Sequence, residues 1–364
     1  MGDARVQARR RPIPGRSMAE RVRFALIGAG VIGKLRAAAL AESASCALAV
    51  VSDIDEARGR EVAALGNAAY EKDWRAALDE RVDAVIVSTP PPLHVEHCVT
   101  AFERGKHVLC EKPLARTPDE CRAIVAAAAV SGKHLATGFN YRFYPAVAAI
   151  HKIFAEGGIG ELDHIRGYTG HPGGKEFSHP WVHDVKIVGG GALMDNGIHL
   201  LDLVLYFLGA PAEVKGYRTH RVWNFEGCED NAFAQIRNAA GNIAQLQASW
   251  SEWRGYRWWV EVYGTRGMLR ASYPPMMAQA VTFGAEGREK SATERFLFPG
   301  FQVKERMHGP YWTVQQSFLP EFDGFARAVR GEKTNAATGE DGLRAVEVAH
   351  AVYTASGGGS SVRL

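Results

Sequence analysis

The sequence predicts a two-domain α/β chain, a doubly wound parallel sheet followed by a domain whose strands are grouped together. Three observations lead there. From residue 21 to the early 140s, short apolar runs alternate with alanine-rich, helix-favouring stretches, which is the pattern of βα units. Each run ends in a polar or proline-containing cluster, on the side of such a sheet where ligands bind. Beyond Tyr144 the alternation stops, and strand-like runs follow one another with few helices between them.

The elements can be taken in order. Residues 21–27 form an apolar strand that ends at Gly28-Ala29-Gly30-Val31-Ile32-Gly33, and 34–42 is helical. Strand, GxGxxG and helix in that order make a dinucleotide-binding turn. The glycines allow the tight turn, close approach to a pyrophosphate and close helix packing, and the helix N-terminus faces the negative charge. A second strand, 47–51, ends in Ser52-Asp53, and Asp53 stands 20 residues after Gly33. An acid there accepts hydrogen bonds from ribose hydroxyls and repels a 2′-phosphate, so NAD is expected over NADP. Arg58 stands close by and complicates that preference. The predicted cofactor contacts are Gly28, Gly30, Val31, Ile32, Gly33, Asp53 and Ile54.

Three more buried strands are predicted at 82–87, 107–110 and 135–139. They end at Ser88-Thr89-Pro90, at Glu111-Lys112-Pro113 and at Asn140-Tyr141-Arg142. In the second half, strands are read at 162–168, 213–220, 231–237, 243–250, 258–263 and 268–272, with a hairpin turn at 238–242. Helices at 316–330 and 342–356 close the chain. The expected division is a basic, disordered tail over 1–20, a Rossmann domain over 21–143 and an α/β domain over 144–364.

The segment Gly189-Gly190-Gly191-Ala192-Leu193-Met194-Asp195-Asn196-Gly197-Ile198-His199-Leu200-Leu201-Asp202 stands out within the second half. Read as a glycine-rich lead into a helix, it places Asp195, His199 and Asp202 on one face of an otherwise aliphatic helix. Charged and titratable groups are rarely buried without partners. A proton-handling site accounts for them, because imidazole titrates near neutral pH and a neighbouring carboxylate orients it. A satisfied histidine on a partly exposed helix is the plainer alternative.

Composition limits the remaining classes. No apolar run reaches membrane-spanning length, and the net charge of +3 comes from five arginines among residues 1–17. Without that tail 38 basic residues face 39 acidic ones, so no nucleic-acid groove is expected. Arg9-Arg10-Arg11 resembles the start of an export signal, but no apolar region follows it, and Met18 is a candidate natural start. Five cysteines lack metal spacing and suit a reducing cytoplasm; no metal site is expected. Trp250, Trp253, Trp258 and Trp259 crowd together. They read as core and subunit interface, with stacking on sugar faces as the alternative.

In their order, several motifs resemble the Gfo/Idh/MocA family of oxidoreductases (glucose–fructose oxidoreductase and inositol dehydrogenase among them). They are the 28–33 turn, Ser88-Thr89-Pro90 with His94, Glu111-Lys112-Pro113, Asn140-Tyr141-Arg142, the 190–202 segment and Tyr263-Gly264-Thr265-Arg266-Gly267. The resemblance covers roughly residues 22–356. It implies a Rossmann domain, then an α/β domain with an open-faced, mainly antiparallel sheet. It also implies hydride transfer between a nicotinamide and a sugar, cyclitol or glycoside hydroxyl.

By the same resemblance, Lys112, Asp195 and His199 are the catalytic residues, with Lys112 and His199 handling the proton; on the shared helical face, Asp195 is expected to hold the histidine. Ser88, Thr89, Pro90, His94, Glu111, Lys112, Asn140 and Arg142 are expected at the nicotinamide end of the cleft. Pro113 shapes the turn after Lys112 through a cis bond. Relatives often carry histidine where this chain has Arg36, a difference expected to touch nucleotide details only. Trp181 and His183, in the loop before the helix, join Lys112, Asp195, Asn196 and His199 as substrate contacts. A homodimer or homotetramer packed through the tryptophan-rich sheet is expected. Two other readings are an NAD-dependent glycosidase that oxidises its sugar transiently and a non-catalytic cofactor-binding regulator.

Overall fold

A computed structural model describes residues 21–177, 179–284, 287–309 and 311–364. The basic tail lies outside them. The first sheet contains β1 (Val22–Ile27), β2 (Cys46–Ser52), β3 (Ala69–Glu71), β4 (Ala84–Val87), β5 (His107–Cys110) and β6 (Leu135–Thr137). Its order is β3-β2-β1-β4-β5-β6, parallel throughout, the doubly wound arrangement whose ligands bind at the β1/β4 crossover. The strands β1 and β4 are almost wholly apolar because helices cover both faces.

The helices between them are α1 (Val31–Glu42), α2 (Glu56–Leu65), α3 (His94–Glu103) and α4 (Pro118–Ser131). Local chemistry fixes their ends. The Asp55 side chain caps α2, and Thr117 caps α4, which starts with Pro118 and stops at left-handed Gly132.

After α5 (Pro145–Ala155) the chain enters a nine-stranded sheet with β7 (Leu162–Gly170), then α6 (Val185–Val188) and α7 (Gly197–Leu208). The sheet continues through β8 (Pro211–Thr219), β9 (Asn231–Asn238), β10 (Ile243–Ser249), β11 (Arg257–Gly264) and β12 (Gly267–Tyr273). It is extended by β13 (Met277–Gly284) and β14 (Gly287–Leu297). Next come α8 (Pro299–His308), α9 (Tyr311–Val329), α10 (Gly339–Gly358) and a short edge strand, β15 (Val362–Arg363). The order is β14-β13-β12-β11-β7-β10-β9-β8-β15. Only β7 and β10 run parallel, so the sheet is mainly antiparallel.

One face of this sheet is covered by α5, α7 and α10. The fit is close: a Cβ on Gly167 of β7 would sit 2.9 Å from Leu200 of α7. The other face is open. Arg166, Tyr168, Tyr217, Phe233, Gln245 and Trp259 line a shallow depression of about 620 Å³ on it. The strict alternation of buried and exposed residues along β9 follows from that one-sided cover.

Several expectations need correction. The segments that form β3, β13, β14 and α8 were not anticipated. The strand β14 is rich in charge, and its extended form depends on pairing with β13 rather than on propensity. The chain after residue 310 also departs from the expected division. Phe318, Phe322 and Phe325 of α9 enter the core under β1 and β2, and Phe24 packs on two of those rings. The helix α9 therefore belongs physically to the first domain. The tryptophans divide too: Trp250 and Trp258 are fully buried, Trp253 is exposed, and Trp259 lies half-buried on the open face.

Candidate active site

The cofactor half of the site follows from the turn after β1. Gly28 has φ +95°, and a Cβ there would fall 2.5 Å from the Ser88 carbonyl oxygen. A Cβ on Gly33 would fall 2.0 Å from the Gly28 carbonyl oxygen, so both positions exclude a side chain. Gly30 differs: a Cβ there would meet nothing within 4 Å. It faces an open cradle. Gly30 also caps α1 without any side-chain acceptor, which leaves the N–H groups of the first turn to an incoming anion.

Asp53 ends β2 beside this turn. Its carboxylate accepts hydrogen bonds from the Ala29 N–H (2.7 Å), the Asp55 N–H (2.8 Å) and the Arg58 guanidinium (2.6 Å). Burial pushes the carboxyl up, but Arg58 and the backbone donors outweigh it and hold Asp53 below the usual range. It stays an acceptor, as ribose hydroxyls require. Val31 and Ile54 are exposed at the rim, where an apolar ring can rest on them. These residues fit a bound dinucleotide.

The second half assembles where the two sheets meet. Lys112 follows β5, and its bond to Pro113 is cis. Its ammonium donates to the backbone carbonyl of Asp195 at 2.9 Å and stands 3.6 Å from Asp195 Oδ1. Asp195 Oδ2 is taken by two other donors, the Trp250 indole Nε1 at 3.0 Å and His171 Nε2 at 3.1 Å. His171 Nδ1 accepts the Gly173 N–H, which leaves its proton on Nε2. Burial pushes the Asp195 carboxyl up, yet Lys112, His171 and Trp250 outweigh it and hold the group well below its ordinary range.

His199 lies on α7, stacked on Tyr141 with ring centroids 4.2 Å apart and planes 4° apart. Its Nδ1 has no hydrogen-bond partner. Burial, reinforced by the Lys112 charge, keeps the ring well below the ordinary histidine range and therefore neutral.

This geometry corrects the expected single face of Asp195, His199 and Asp202. The helix begins at Gly197, so Asp195 belongs to the preceding turn, and it grips His171 and Trp250 rather than His199. Asp202 serves another purpose. It accepts two hydrogen bonds from Arg142, at 2.6 and 2.9 Å, and both groups are buried. Burial raises the Asp202 carboxyl to about 6 against the pull of Arg142. Arg142 also lies over the Tyr206 ring, so it is a structural ion pair and does not line the cleft.

Other expected cofactor contacts are likewise engaged in the fold. Both ring nitrogens of buried His94 face backbone carbonyls of Thr89, Pro113 and Leu114, which ties two loops together. Asn140 donates to Ser317, and Thr89 contacts His97. Glu111 binds Arg36 at 2.5 Å. Ser88 and Pro90 remain partly exposed beside the glycine turn. Arg36 is no nucleotide detail: wholly buried, it joins Glu111 to Glu321 of α9. Of the loop residues, Trp181 is exposed, whereas His183 stacks on Phe225 at 3.8 Å. Asn196 is buried, donates to Thr169 and has an unpartnered Oδ1.

Sequence reasoning missed His171, the bond from Trp250 and the Tyr141 stack. The only available signal was the position of His171 directly after a strand, at the end of β7. Among the described residues no group of three or more His, Cys, Asp or Glu is placed to hold a metal ion.

A doubly wound sheet with an open glycine cradle, followed by a lysine, a carboxylate and a buried histidine at the seam, is the arrangement a nicotinamide-dependent oxidoreductase requires. Comparison with known proteins narrows the class. Residues 22–139 match the oxidoreductase family with an NAD-binding Rossmann fold, and residues 147–270 match the GFO/IDH/MocA C-terminal domain. The chain is 30% identical to 1,5-anhydro-D-fructose reductase of Ensifer adhaerens over 295 residues, 79% of this chain and 81% of that one. It is 28% identical to inositol 2-dehydrogenase of Rhizobium meliloti, covering 91% and 95% of the two chains. A levoglucosan dehydrogenase solved with NADH shares the fold, with a TM-score of 0.83 at 24% identity over 94% of this chain and 99% of that one. The chain belongs to the Gfo/Idh/MocA family and is an NAD-binding oxidoreductase.

Asp53 carries a testable consequence. NAD(H) should bind more tightly than NADP(H), and Asp53→Ala should narrow the gap by removing the repulsion of a 2′-phosphate. Fluorescence titration of both cofactors measures it; a wild-type preference for NADP(H) would contradict the assignment.

Proposed function

We propose that the protein oxidises a secondary or anomeric hydroxyl of a sugar, cyclitol or glycoside, and that Lys112 and His199 handle the proton. The observation that carries this reading is the meeting of Lys112 and Asp195 across the domain seam, beside a buried neutral imidazole. Bound NAD supplies the hydride acceptor.

The residues then divide the work. An ammonium has three donors, and Asp195 engages two at most, so one remains for the reacting oxygen. That donor and its charge stabilise the alkoxide as it forms. His199 takes the proton, because a neutral ring offers a lone pair. With Nδ1 buried and unpartnered, Nε2 is the nitrogen that reaches the cleft. Asp195 balances the lysine charge, and its Oδ1 accepts a second substrate hydroxyl because Oδ2 is saturated. Asn196 Oδ1 is a further acceptor for a polyol, with Trp181 and His183 in the loop ahead of it.

The relatives named above are a reductase and two dehydrogenases, which favours net hydride transfer over transient oxidation in a glycosidase. A regulator has no use for a charged lysine held against a carboxylate. Five cysteines buried as free thiols support a reducing, cytoplasmic setting, and no helix among the described residues is long and apolar enough to cross a membrane.

The open sheet face, with Tyr217, Phe233 and Ile243 exposed on its strands, supports a homodimer or homotetramer packed through that face. Light scattering at micromolar concentration should give a dimer or tetramer, and a monomer would refute that arrangement. For the chemistry, a panel of sugars, cyclitols and glycosides read by NADH absorbance identifies the substrate. On it, Lys112→Ala and His199→Ala should each lower kcat by roughly 10²- to 10⁴-fold, with NAD affinity nearly unchanged. Near-normal turnover in both variants would sink the catalytic assignment.

A further inference from the structure

Two consecutive acids, Glu229 and Asp230, are fully buried in the connection that leads into β9. Burying a carboxylate is costly unless donors replace its water. For Glu229 those donors are not cations. Its Oε2 accepts the Gly191 N–H at 2.8 Å, and its Oε1 accepts the Leu193 N–H at 2.8 Å and the Tyr353 hydroxyl at 3.1 Å. Its backbone carbonyl takes the intervening Ala192 N–H at 2.9 Å. Three consecutive N–H groups of the turn that leads to Asp195 thus converge on one residue.

The glycine run is shaped around the same residue. A Cβ on Gly191 would lie 2.2 Å from the Glu229 carbonyl oxygen, and one on Gly190 would lie 2.1 Å from the Tyr353 hydroxyl. The glycines let the turn close onto the carboxylate. They are a docking surface for Glu229.

Asp230 acts on Asp195 through Trp250. Its carboxylate accepts N–H groups of Arg221, Val222 and Trp223. Its carbonyl takes the Trp250 N–H at 2.7 Å, while the Trp223 indole donates to the Trp250 carbonyl at 2.9 Å. Trp250 is the residue whose indole grips Asp195 Oδ2. One dipeptide therefore fixes both the turn that carries Asp195 and the tryptophan that clamps it.

We propose that Glu229 is a positioning residue for the reaction, an anchor that sets where Asp195 stands against Lys112. The proposal rests on the catalytic reading above for its kinetic consequence but not for its structural one. Glu229→Gln keeps the volume and turns one acceptor into a donor. The Tyr353 hydroxyl can turn to accept, but in either orientation the amide NH2 faces a backbone N–H, of Gly191 or of Leu193, so the turn must open there. Asp195 then moves, and misplacement of about 1 Å costs roughly 100-fold in rate.

The test uses the full chain labelled with ¹⁵N-tryptophan. The Trp250 indole resonance, assigned with Trp250→Phe, reports the Asp195 contact in the absence of cofactor and substrate. In Glu229→Gln it should shift while the remote Trp74 indole stays fixed. The value of kcat/KM on the best substrate of the wild type should fall roughly 100-fold, with NAD affinity unchanged. Tyr353→Phe removes one donor, and should shift the same resonance in the same direction by less. It decides the matter if Glu229→Gln does not fold. A folded variant with an unmoved Trp250 indole, or a moved indole with unchanged turnover, would overturn the proposal. If the wild type oxidises no carbinol, the catalytic reading fails, and the resonance alone decides the role of Glu229.

Discussion

The proposed chemistry depends on one contact, the Lys112 ammonium against Asp195. Lys112 leaves the end of a strand in the parallel sheet, and Asp195 comes from a turn that the second sheet supports. Neither domain alone brings them together. Bringing a cation and a carboxylate into a partly desolvated seam is costly unless their other bonds are satisfied. The structure satisfies the carboxylate, which His171 and Trp250 hold from the second domain. On the lysine side it fixes the loop and leaves the ammonium a donor: the Lys112 backbone N–H reaches the Glu111 carboxylate at 3.3 Å, and Glu111 is bound in turn by Arg36.

Further buried charges hold the seam around that contact. Arg142, just beyond the first sheet, pairs with Asp202 of α7 and stands 3.4 Å from Asp341 of α10. Arg36 lies over the Phe318 ring, 4.0 Å from its centroid, and binds Glu321, whose carboxyl burial pushes up to about 7 against the pull of the arginine. Such pairs add little net stability compared with apolar packing, but losing one partner strands a charge in the interior. They therefore act as register pins, fixing α7, α9 and α10 relative to the ends of the parallel strands. The return of α9 to the first domain has the same effect, since hinge motion at the seam must carry its phenylalanines along.

The sequence was most legible where local rules govern. The glycine turn, the acid after β2 and the polar ends of β4, β5 and β6 were readable because each follows a strand in a βα repeat. Lys112, Asp195 and His199 stand out through motif resemblance, and Lys112 and Asp195 meet at the seam. Their partners do not stand out. The idea that Asp195 holds His199 came from helical spacing, and it failed because the helix starts two residues later. His171 and Trp250 reach Asp195, and Glu229 reaches the turn before it, from strand ends far apart in sequence, and no periodicity reports such contacts. Arg142 and His94 were misread for the opposite reason. Their side chains are consumed by ion pairing and by backbone carbonyls, which a motif does not disclose. The segments that form β13 and β14 escaped notice because pairing, rather than propensity, makes them strands.

If both domains serve one reaction, they converge on a single nicotinamide position, which a crystal structure of the full chain with NAD bound would reveal. The pyrophosphate is expected over Gly30 at the start of α1 and the nicotinamide ring between the ends of β4 and β5, with its reactive carbon facing both Lys112 and His199. A ring directed away from either residue, or a dinucleotide seated elsewhere than the glycine cradle, would contradict it.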